Sequence, residues 1–307
     1  MRKLLFSALA IMLTAAASQG QTPPPFTAAD RVAAVSIGPA ISKELPSPVI
    51  VSIPAPEGFM FVTPENKKVY DLLTGVTPPG NRMLISCIPT NLDVVQTDVT
   101  ELTRYMMVQT ARQDEDELIS VKEFKQVTEL AQQQILQSLA EAQKQIDQLK
   151  KQMGDALGNA VEQPVTMDAV KPQFSPPHVR ADRVLAFDTV TRYDAKLEDG
   201  TPFTFTVSCT AAMVHVNGKI IYVYVYGGEE DGQWTRQTNA QWVDAILTLN
   251  PTAEIIVPGK EREPWWRSAV RFGVVGGLIG GIVGGILNRK NAKKVNSSSI
   301  HTPPAAS

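Results

Sequence analysis

One uncharged stretch near the C-terminus most constrains how this chain can fold. Residues 272–287 contain only glycine and apolar side chains. Extended from Ser268 to Asn288, the run reaches about 21 residues, which is enough for a helix to cross a bilayer if Arg271 extends its charged end toward the headgroups. The stretch therefore predicts a transmembrane helix over residues 268–288 that tethers a folded body on its N-terminal side.

The flanks of this run support a membrane-spanning interpretation. Trp265 and Trp266 stand where an interfacial aromatic belt is expected, and Arg289 and Lys290 begin a basic anchor on the other side. Both flanks carry basic residues, so the positive-inside rule alone does not set the orientation. Residues 289–307 are predicted to form a basic, disordered tail in the cytoplasm.

The glycines of the run follow a spacing of their own. They form two adjacent rows at every fourth position, which gives a helix one smooth face: Gly273, Gly276, Gly277, Gly280, Gly281, Gly284 and Gly285. Such a face lets two helix backbones approach closely in lipid. Each glycine also costs about 0.8–1 kcal/mol of helix propensity on water-based scales. We therefore expect a homo-oligomer or a partner helix, with a lone anchor and a pore-lining helix as alternatives.

The N-terminus is typical of a secretory signal peptide. Arg2 and Lys3 precede an apolar run over residues 4–17, and small residues follow, so residues 1–20 are predicted to be a signal peptide. An uncleaved N-terminal anchor is the alternative. A cleavable signal would export the body and leave the tail inside, which predicts a single-pass protein of the bacterial inner membrane with its body in the periplasm. Residues 21–45 are predicted to be a linker and lead, with a helix-like run over 28–35.

Export raises the question of a disulfide. The mature chain has two cysteines, Cys87 and Cys209, both in strand-like runs. In an oxidising compartment an even number of cysteines favours a disulfide. Two buried free thiols are the alternative, and neither cysteine lies in a CxxC motif.

Residues 46–255 read as one exported α+β domain. Strand-like runs bounded by Gly and Pro predict strands at 46–53, 58–62, 82–88, 104–110, 181–192, 203–211 and 220–226, with a helical turn or two over 65–73. The run 104–110 is apolar on both faces, which suits an inner strand. Polar, proline-containing residues near 155–177 predict a flexible insertion.

Two longer helices accompany the strands. Ser120 and Glu123 form a capping-box pattern, and a heptad seam then runs to Met153, after which Gly154 and Gly158 are expected to end the helix. A shorter helix follows Asp231, a natural N-cap, and stops at Asn250. The expected fold is an antiparallel sheet sandwiched with one long and one shorter helix, plus the C-terminal transmembrane helix.

The last strand carries an aromatic face. Tyr222, Tyr224 and Tyr226 alternate with aliphatic residues, so all three point to one side of the sheet. A face of this kind is expected to be covered by a helix, and the shorter helix is expected to lie on this sheet. A ligand platform is the alternative.

The order of elements resembles a known fold. It comprises a proline-rich opening strand, the strand Arg104-Tyr-Met-Met-Val108, a long helix, a hairpin block with Asn217-Gly-Lys-Ile-Ile-Tyr-Val-Tyr224, and a closing helix. This layout resembles the PsbP/Mog1-type α/β/α sandwich. The block from Gly218 to Trp242, with Leu249-Asn-Pro251, is also similar to uncharacterised bacterial exported proteins. The resemblance implies a binding or assembly role and carries over no functional residue.

No motif in the sequence points to catalysis. The histidines are His178, His215 and His301, and none has a cysteine or carboxylate at metal-ligand spacing, so no metal and no cofactor are expected. A net charge of −2 and a pI near 6.0 argue against nucleic-acid binding. The acidic run 114–117 lacks the glycine and alternation of a calcium loop and is expected to be a solvated loop.

The sequence therefore predicts a non-enzymatic, membrane-tethered envelope protein with an exported binding or assembly domain. Its expected partners are the lipid bilayer and a second helix at the glycine face. An envelope enzyme is the alternative, with catalytic residues that meet only in three dimensions.

Overall fold

The structure is a computed structural model that describes residues 31–38, 48–78, 80–92, 102–126, 128–129, 150–151, 154–155, 158–159 and 164–251. Several predictions fall outside these residues: the signal peptide, most of the lead, the heptad part of the long helix, the transmembrane helix and the tail. The seven glycines of the membrane run, Trp265, Trp266, Arg289 and Lys290 also lie outside them. No helix in the described ranges is both long enough and apolar enough to cross a membrane.

Strands dominate the described part, which is α+β. The strands are β1 (Val32–Ile37), β2 (Val49–Pro54), β3 (Phe59–Phe61), β4 (Asn81–Pro89), β5 (Tyr105–Ala111), β6 (Val165–Phe174), β7 (His178–Ala181), β8 (Val184–Leu197), β9 (Pro202–Val216) and β10 (Lys219–Gly228). The helices with full bounds are α1 (Lys67–Gly75) and α2 (Gly232–Leu249), and short 3-10 turns cover Arg112–Asp114 and Glu229–Asp231.

Eight strands form one antiparallel sheet. Their order is β3-β4-β5-β10-β9-β8-β6, and β7 pairs with β8 beyond the end of β6. The predicted antiparallel sheet and the inner position of β5 are confirmed. Gly200, Asn217 and Gly218 have positive φ angles at the turns between β8 and β9 and between β9 and β10. The strands β1 and β2 form a separate two-stranded sheet.

Both faces of the central strands are buried. Tyr222, Tyr224 and Tyr226 lie on what we call the tyrosine face, in one core cluster with Leu73 of α1 and with Phe124. The three tyrosines are at most 2% exposed, and burial raises the pKa of each phenol. They therefore form core, as expected, and are not a ligand platform.

The shorter helix covers the opposite face of that sheet. Trp242, Val243 and Ile246 of α2 pack in a second cluster with Val223 and Val225 of β10, on what we call the aliphatic face. The prediction that α2 lies on the tyrosine-bearing sheet is correct for the sheet, but the face that it covers is the aliphatic one.

The hairpin of β1 and β2 extends the layer formed by α2. Ile37, Val51 and Ile53 are fully buried and join the cluster on the aliphatic face. The helix-like run predicted over residues 28–35 is wrong where the structure describes it, because Val32 to Val35 are strand. Pairing with residues 49–54 outweighs the helix propensity of Ala33 and Ala34, because tertiary contacts routinely override propensity.

The predicted flexible insertion is also wrong in its second half. Residues 165–174 form β6, which pairs along β8 at the edge of the sheet. Val165, Met167 and Val170 are buried, and a bulge between Met167 and Ala169 interrupts the alternation. Pro172 is tolerated because an edge strand leaves some of its N–H groups without a ladder partner.

The start of the long helix forms as predicted. Glu123 accepts from the Ser120 amide at 2.7 Å, and the Ser120 hydroxyl accepts from the Glu123 amide at 3.2 Å, which is a reciprocal capping box. Residues 154–155 and 158–159 are helical, so helical structure is present at both glycines predicted to end the helix, Gly154 and Gly158. A Cβ at Gly154 would lie 2.6 Å from the Val165 carbonyl oxygen, so the glycine permits close approach to β6.

The structure has two free thiols where the sequence left a disulfide open. Cys87 belongs to the cluster on the aliphatic face, and Cys209 belongs to the cluster on the tyrosine face. The sheet itself separates the two sulfur atoms, so the disulfide is contradicted. Burial raises the pKa of both thiols.

Candidate functional site

Four residues from distant parts of the chain meet at one end of the aliphatic face. Phe59, Arg104, Asp231 and Trp234 form a half-buried group that we call the aromatic rim. The Arg104 guanidinium lies 4.5 Å from the Trp234 ring centroid, and the Phe59 and Trp234 rings stack with centroids 6.2 Å apart. Arg104 donates to Asp231 through Nη2 at 2.6 Å and through Nε at 3.3 Å.

One glycine lets Asp231 take this position. A Cβ on Gly227 would lie 2.5 Å from the Cβ of Asp231, so only glycine allows the turn to fold back over the end of β10. The Asp231 carboxylate accepts from the Gly228 amide at 2.9 Å. Asp231 occupies the N-cap position of α2 as predicted, but its side chain makes no capping bond to that helix. Its carboxylate orients Arg104 instead.

The composition of the aromatic rim suits contact with another polypeptide. Tryptophan and arginine are enriched among residues that dominate binding energy at protein interfaces. The Arg104 side chain is 40% exposed, yet the carboxylate of Asp231 and the Trp234 ring already fix its guanidinium. A partner would therefore lose little conformational entropy at this position. Sequence reasoning missed the rim because its residues lie far apart in the chain and follow no motif.

A second polar cluster fastens the loop before the long helix. The Lys219 ammonium is buried and donates to the carbonyl oxygens of Glu115 at 2.6 Å and Glu117 at 2.9 Å. The Ile119 amide donates to the Gly218 carbonyl, and His215 Nε2 lies 2.5 Å from the Ile119 carbonyl oxygen. We call this group the loop latch.

The loop latch corrects the expectation for the acidic run 114–117. Asp114 is 8% exposed, and the Glu115 carboxylate accepts from Arg82 Nε at 2.8 Å and from Arg82 Nη2 at 2.9 Å. The run is therefore an ordered connection and not a freely solvated loop. Burial lowers the pKa of Lys219, while the neighbouring acidic side chains oppose that effect.

His215 is the most unusual member of the latch. The residue is 1% exposed, and its Nδ1 has no hydrogen-bond partner among the described residues. Burial lowers its pKa, the bond to Ile119 opposes this, and the positive charge of Arg183 lowers it further. The neutral ring, with Nε2–H donating to the Ile119 carbonyl, is the form that this environment favours.

A third cluster ties α2 to the sheet. Asn239 is fully buried, and its Nδ2 donates to the carbonyl oxygens of Thr210 at 3.2 Å and Val223 at 2.8 Å. Its Oδ1 accepts from Arg180 at 3.1 Å, while Asp188 accepts from Thr210 and Arg236. These side chains satisfy main-chain carbonyls and one another, which is a scaffold role.

The histidines named in the sequence analysis do not form a cluster within the described ranges. His215 serves the loop latch, the backbone of His178 lies in β7, and His301 lies outside the described residues. No group of three or more His, Cys, Asp or Glu side chains in those ranges could hold a metal ion.

Comparisons with known proteins give one distant neighbour. No family model matches the chain, and no curated protein matches it. Among solved structures the chain is similar to the Ran-binding protein Mog1p of Saccharomyces cerevisiae, at 13% sequence identity and a TM-score of 0.25. The match covers 65% of this chain and 86% of that chain. At this score the likeness carries no argument about function, and the PsbP/Mog1-type assignment stays a prediction.

We predict that Gly227→Ala destabilises the body, because the new methyl group would collide with Asp231 and displace its bonds to Gly228 and Arg104. The expected loss is about 1–3 kcal/mol in the free energy of unfolding, measured by urea denaturation. Gly228→Ala is the matched control, since the nearest atom to a Cβ there is 3.7 Å away. Equal effects of the two substitutions would contradict this geometry.

We also predict that acid weakens the loop latch. The pKa of His215 in the folded chain lies below its ordinary value of 6.5. The unfolded chain therefore takes up the proton first, so the contribution of His215 is complete above about pH 6.5 and is lost as the pH falls below it. Between about pH 8 and pH 5, urea denaturation should show a smaller loss in the free energy of unfolding for His215→Gln than for the wild type, because the glutamine amide keeps a donor but does not titrate. Identical pH profiles would refute the role assigned to His215.

Proposed function

We propose that this chain is a non-enzymatic, membrane-tethered envelope protein whose exported domain serves binding or assembly. The observation that carries the proposal is the glycine spacing of residues 272–287, between Trp265 and Trp266 on one side and Arg289 and Lys290 on the other. A simple anchor does not require a continuous small-residue face, whereas close packing of two helices in lipid does.

The proposed topology follows from the two ends of the chain. Residues 1–20 direct export, residues 268–288 span the bacterial inner membrane once, and the basic tail remains in the cytoplasm. The partners in this proposal are the lipid bilayer and a second helix at the glycine face, most simply that of another copy. The finer fold in the proposal is a PsbP/Mog1-type sandwich whose long helix covers the tyrosine face.

The aromatic rim is the proposed contact surface of the exported domain. In its favour are the half-exposed Trp234 ring and an Arg104 side chain held in place before any partner arrives. In the loop latch and the Asn239 cluster, the polar side chains donate hydrogen bonds to main-chain carbonyls of the same domain. This use of polar side chains favours binding over catalysis.

The membrane part of the proposal predicts an effect of filling the glycine face. In membranes that contain the full chain, the double variant Gly277→Leu/Gly281→Leu should lose most of the chemically crosslinked dimer, because two leucines hold the helix backbones apart. The control Val275→Leu/Val283→Leu adds bulk on the opposite face and should crosslink like the wild type.

Extraction with alkaline carbonate shows in the same samples whether the chain is integral to the membrane. Release of the wild-type chain into the soluble fraction would overturn the tether. Equal crosslinking of both double variants would overturn association through the glycine face and leave the tether standing.

A further inference from the structure

The two edges of the small β1–β2 sheet differ in how far their outward main-chain groups are hydrogen-bonded. Side chains close the outer edge of β2. The Ser52 amide donates to Asn250 Oδ1 at 2.9 Å, and Asn250 Nδ2 donates back to the Ser52 carbonyl at 2.7 Å. Trp242 Nε1 donates to the Pro54 carbonyl at 2.7 Å, and Asn217 Nδ2 donates to the Ile50 carbonyl at 3.2 Å.

These bonds fix which main-chain groups of β1 point outward. Ala34 lies opposite Ser52, whose amide and carbonyl both turn away from β1 to reach Asn250. In an antiparallel pair, residues opposite each other are either both bonded across or both turned away. The amides and carbonyls of Val32, Ala34 and Ser36 therefore point to the outer edge of β1.

This outer edge is largely unoccupied in the described part of the chain. Arg82 donates to the Ser36 carbonyl at 3.0 Å, and the described residues offer no other hydrogen bond to the outward groups of Val32, Ala34 and Ser36. All three residues are exposed, with Val32 at 45%. An open row of this kind is a template for another strand.

Unlike the other sheet edges, β1 lacks features that discourage pairing. Its sequence, Val-Ala-Ala-Val-Ser-Ile, has no charge and no proline, and its register with β2 is unbroken. By contrast, β6 at one edge of the large sheet carries Asp168, Lys171, Pro172 and a bulge. The opposite edge is β3, which has three residues. Natural proteins use such charges, prolines, bulges and short strands to block edge pairing.

We propose that β1 pairs with β1 of a second copy of this chain, antiparallel and centred on Ala34, to form a four-stranded sheet in the order β2-β1-β1-β2. A two-fold axis places Ala34 opposite Ala34 and Val32 opposite Ser36. The outward amide and carbonyl of Ala34 then bond to the same groups of the second copy. This pairing does not depend on the membrane helix or on the aromatic rim.

The absence of charge favours a second copy over a charged partner. An uncharged strand meets itself with no repulsion and offers no countercharge to a charged segment. The nearest charge along the chain is Arg31, directly before β1, and the Arg82 guanidinium that reaches Ser36 is already paired with Glu115. Antiparallel pairing keeps the two copies of Arg31 about 20 Å apart at ~3.4 Å per residue, whereas a parallel pair would bring them together.

The exposed apolar side chains favour the same arrangement. Ile50 is 50% exposed and lies opposite Ser36, on the outer face that also carries Val32. Pairing would set Val32 of the second copy beside Ser36 in a row that continues to Ile50. Val32, one of the exposed large apolar residues, would thus gain a neighbour in the second copy.

Single cysteines in the full chain test the register. Ala34→Cys should give a disulfide-linked dimer, because residues facing each other in a bonded antiparallel pair lie about 5.5 Å apart at Cα, within disulfide range. Val32→Cys and Ser36→Cys should each stay monomeric on a non-reducing gel, since like positions lie roughly 14 Å apart. A mixture of these two variants should give the dimer. The wild type is the background control, because Cys87 and Cys209 are buried.

A second variant measures association without crosslinking. Ala34→Lys should keep the thermal midpoint of the body and weaken self-association at least about tenfold in analytical ultracentrifugation, since two ammonium groups would face each other. Ala34→Ser is the matched control and should associate like the wild type. Made on the Gly277→Leu/Gly281→Leu background, Ala34→Cys should still crosslink, which separates this pairing from any association of the membrane helix.

Three results would overturn the proposal. One is a monomer for the wild type and Ala34→Cys at every concentration. Another is a disulfide-linked dimer of Val32→Cys in the absence of Ser36→Cys, which would mean a parallel pair. The third is a complex in which an extended segment of a different protein, and not a second copy, crosslinks to residue 34.

Discussion

The hydrogen bonds between Asn250 and Ser52 hold together the layer on which the rest of the structure depends. The large sheet has an aliphatic face too wide for α2 alone, and the β1–β2 hairpin covers what the helix leaves open. The hairpin is joined to the large sheet by no strand pairing. Asn250, Trp242 and Asn217 replace that pairing with side-chain bonds from the helix and from the β9–β10 turn.

This arrangement determines which strand edge of the hairpin remains open at the surface. Side chains occupy the outward amide of Ser52 and the outward carbonyls of Ile50, Ser52 and Pro54, which leaves little main chain on β2 for a further strand to pair with. The opposite strand, β1, keeps its outward main-chain groups in reach of another molecule, while the buried Ile37, Val51 and Ile53 keep the hairpin on the body. The same bonds that fasten the hairpin therefore decide which of its edges stays open.

Buried polar side chains elsewhere also hydrogen-bond to main-chain groups. Lys219 and His215 supply hydrogen bonds to a loop that cannot pair as a strand, and Asn239 does so for carbonyls beneath α2. Burying an ammonium or an amide is costly unless such partners are present. The aromatic rim differs, because Arg104 and Trp234 remain half exposed after Asp231 has oriented the guanidinium.

Local patterns in the sequence were sufficient for most of the large sheet. Strict alternation in β10, positive-φ residues at Asn217 and Gly218, and the capping box at Ser120 each depend on neighbours within a few positions, so periodicity and turn chemistry revealed them. The strand β6 was missed because its bulge breaks the alternation, and its proline suggests a loop until the edge position is known.

Other features depend on contacts between distant segments. The sequence predicted strand runs around Cys87 and Cys209, but only the strand order and register place the two sulfurs on opposite faces. The face covered by α2 is likewise decided by packing, since both faces of β10 are apolar enough to be buried. The aromatic rim and the caps on β2 join residues more than a hundred positions apart, for which a single sequence has no local signal.

Amide hydrogen exchange at two facing residues distinguishes the closed strand edge from the open one. Ser52 and Ala34 lie opposite each other; the Ser52 amide has a partner within the chain, and the Ala34 amide gains one only if β1 pairs with a second copy. In the full chain, Ser52 should be protected at every protein concentration, whereas protection of Ala34 should rise with concentration. Equal protection of both amides in dilute monomer, or an Ala34 amide that exchanges freely at all concentrations, would contradict the account.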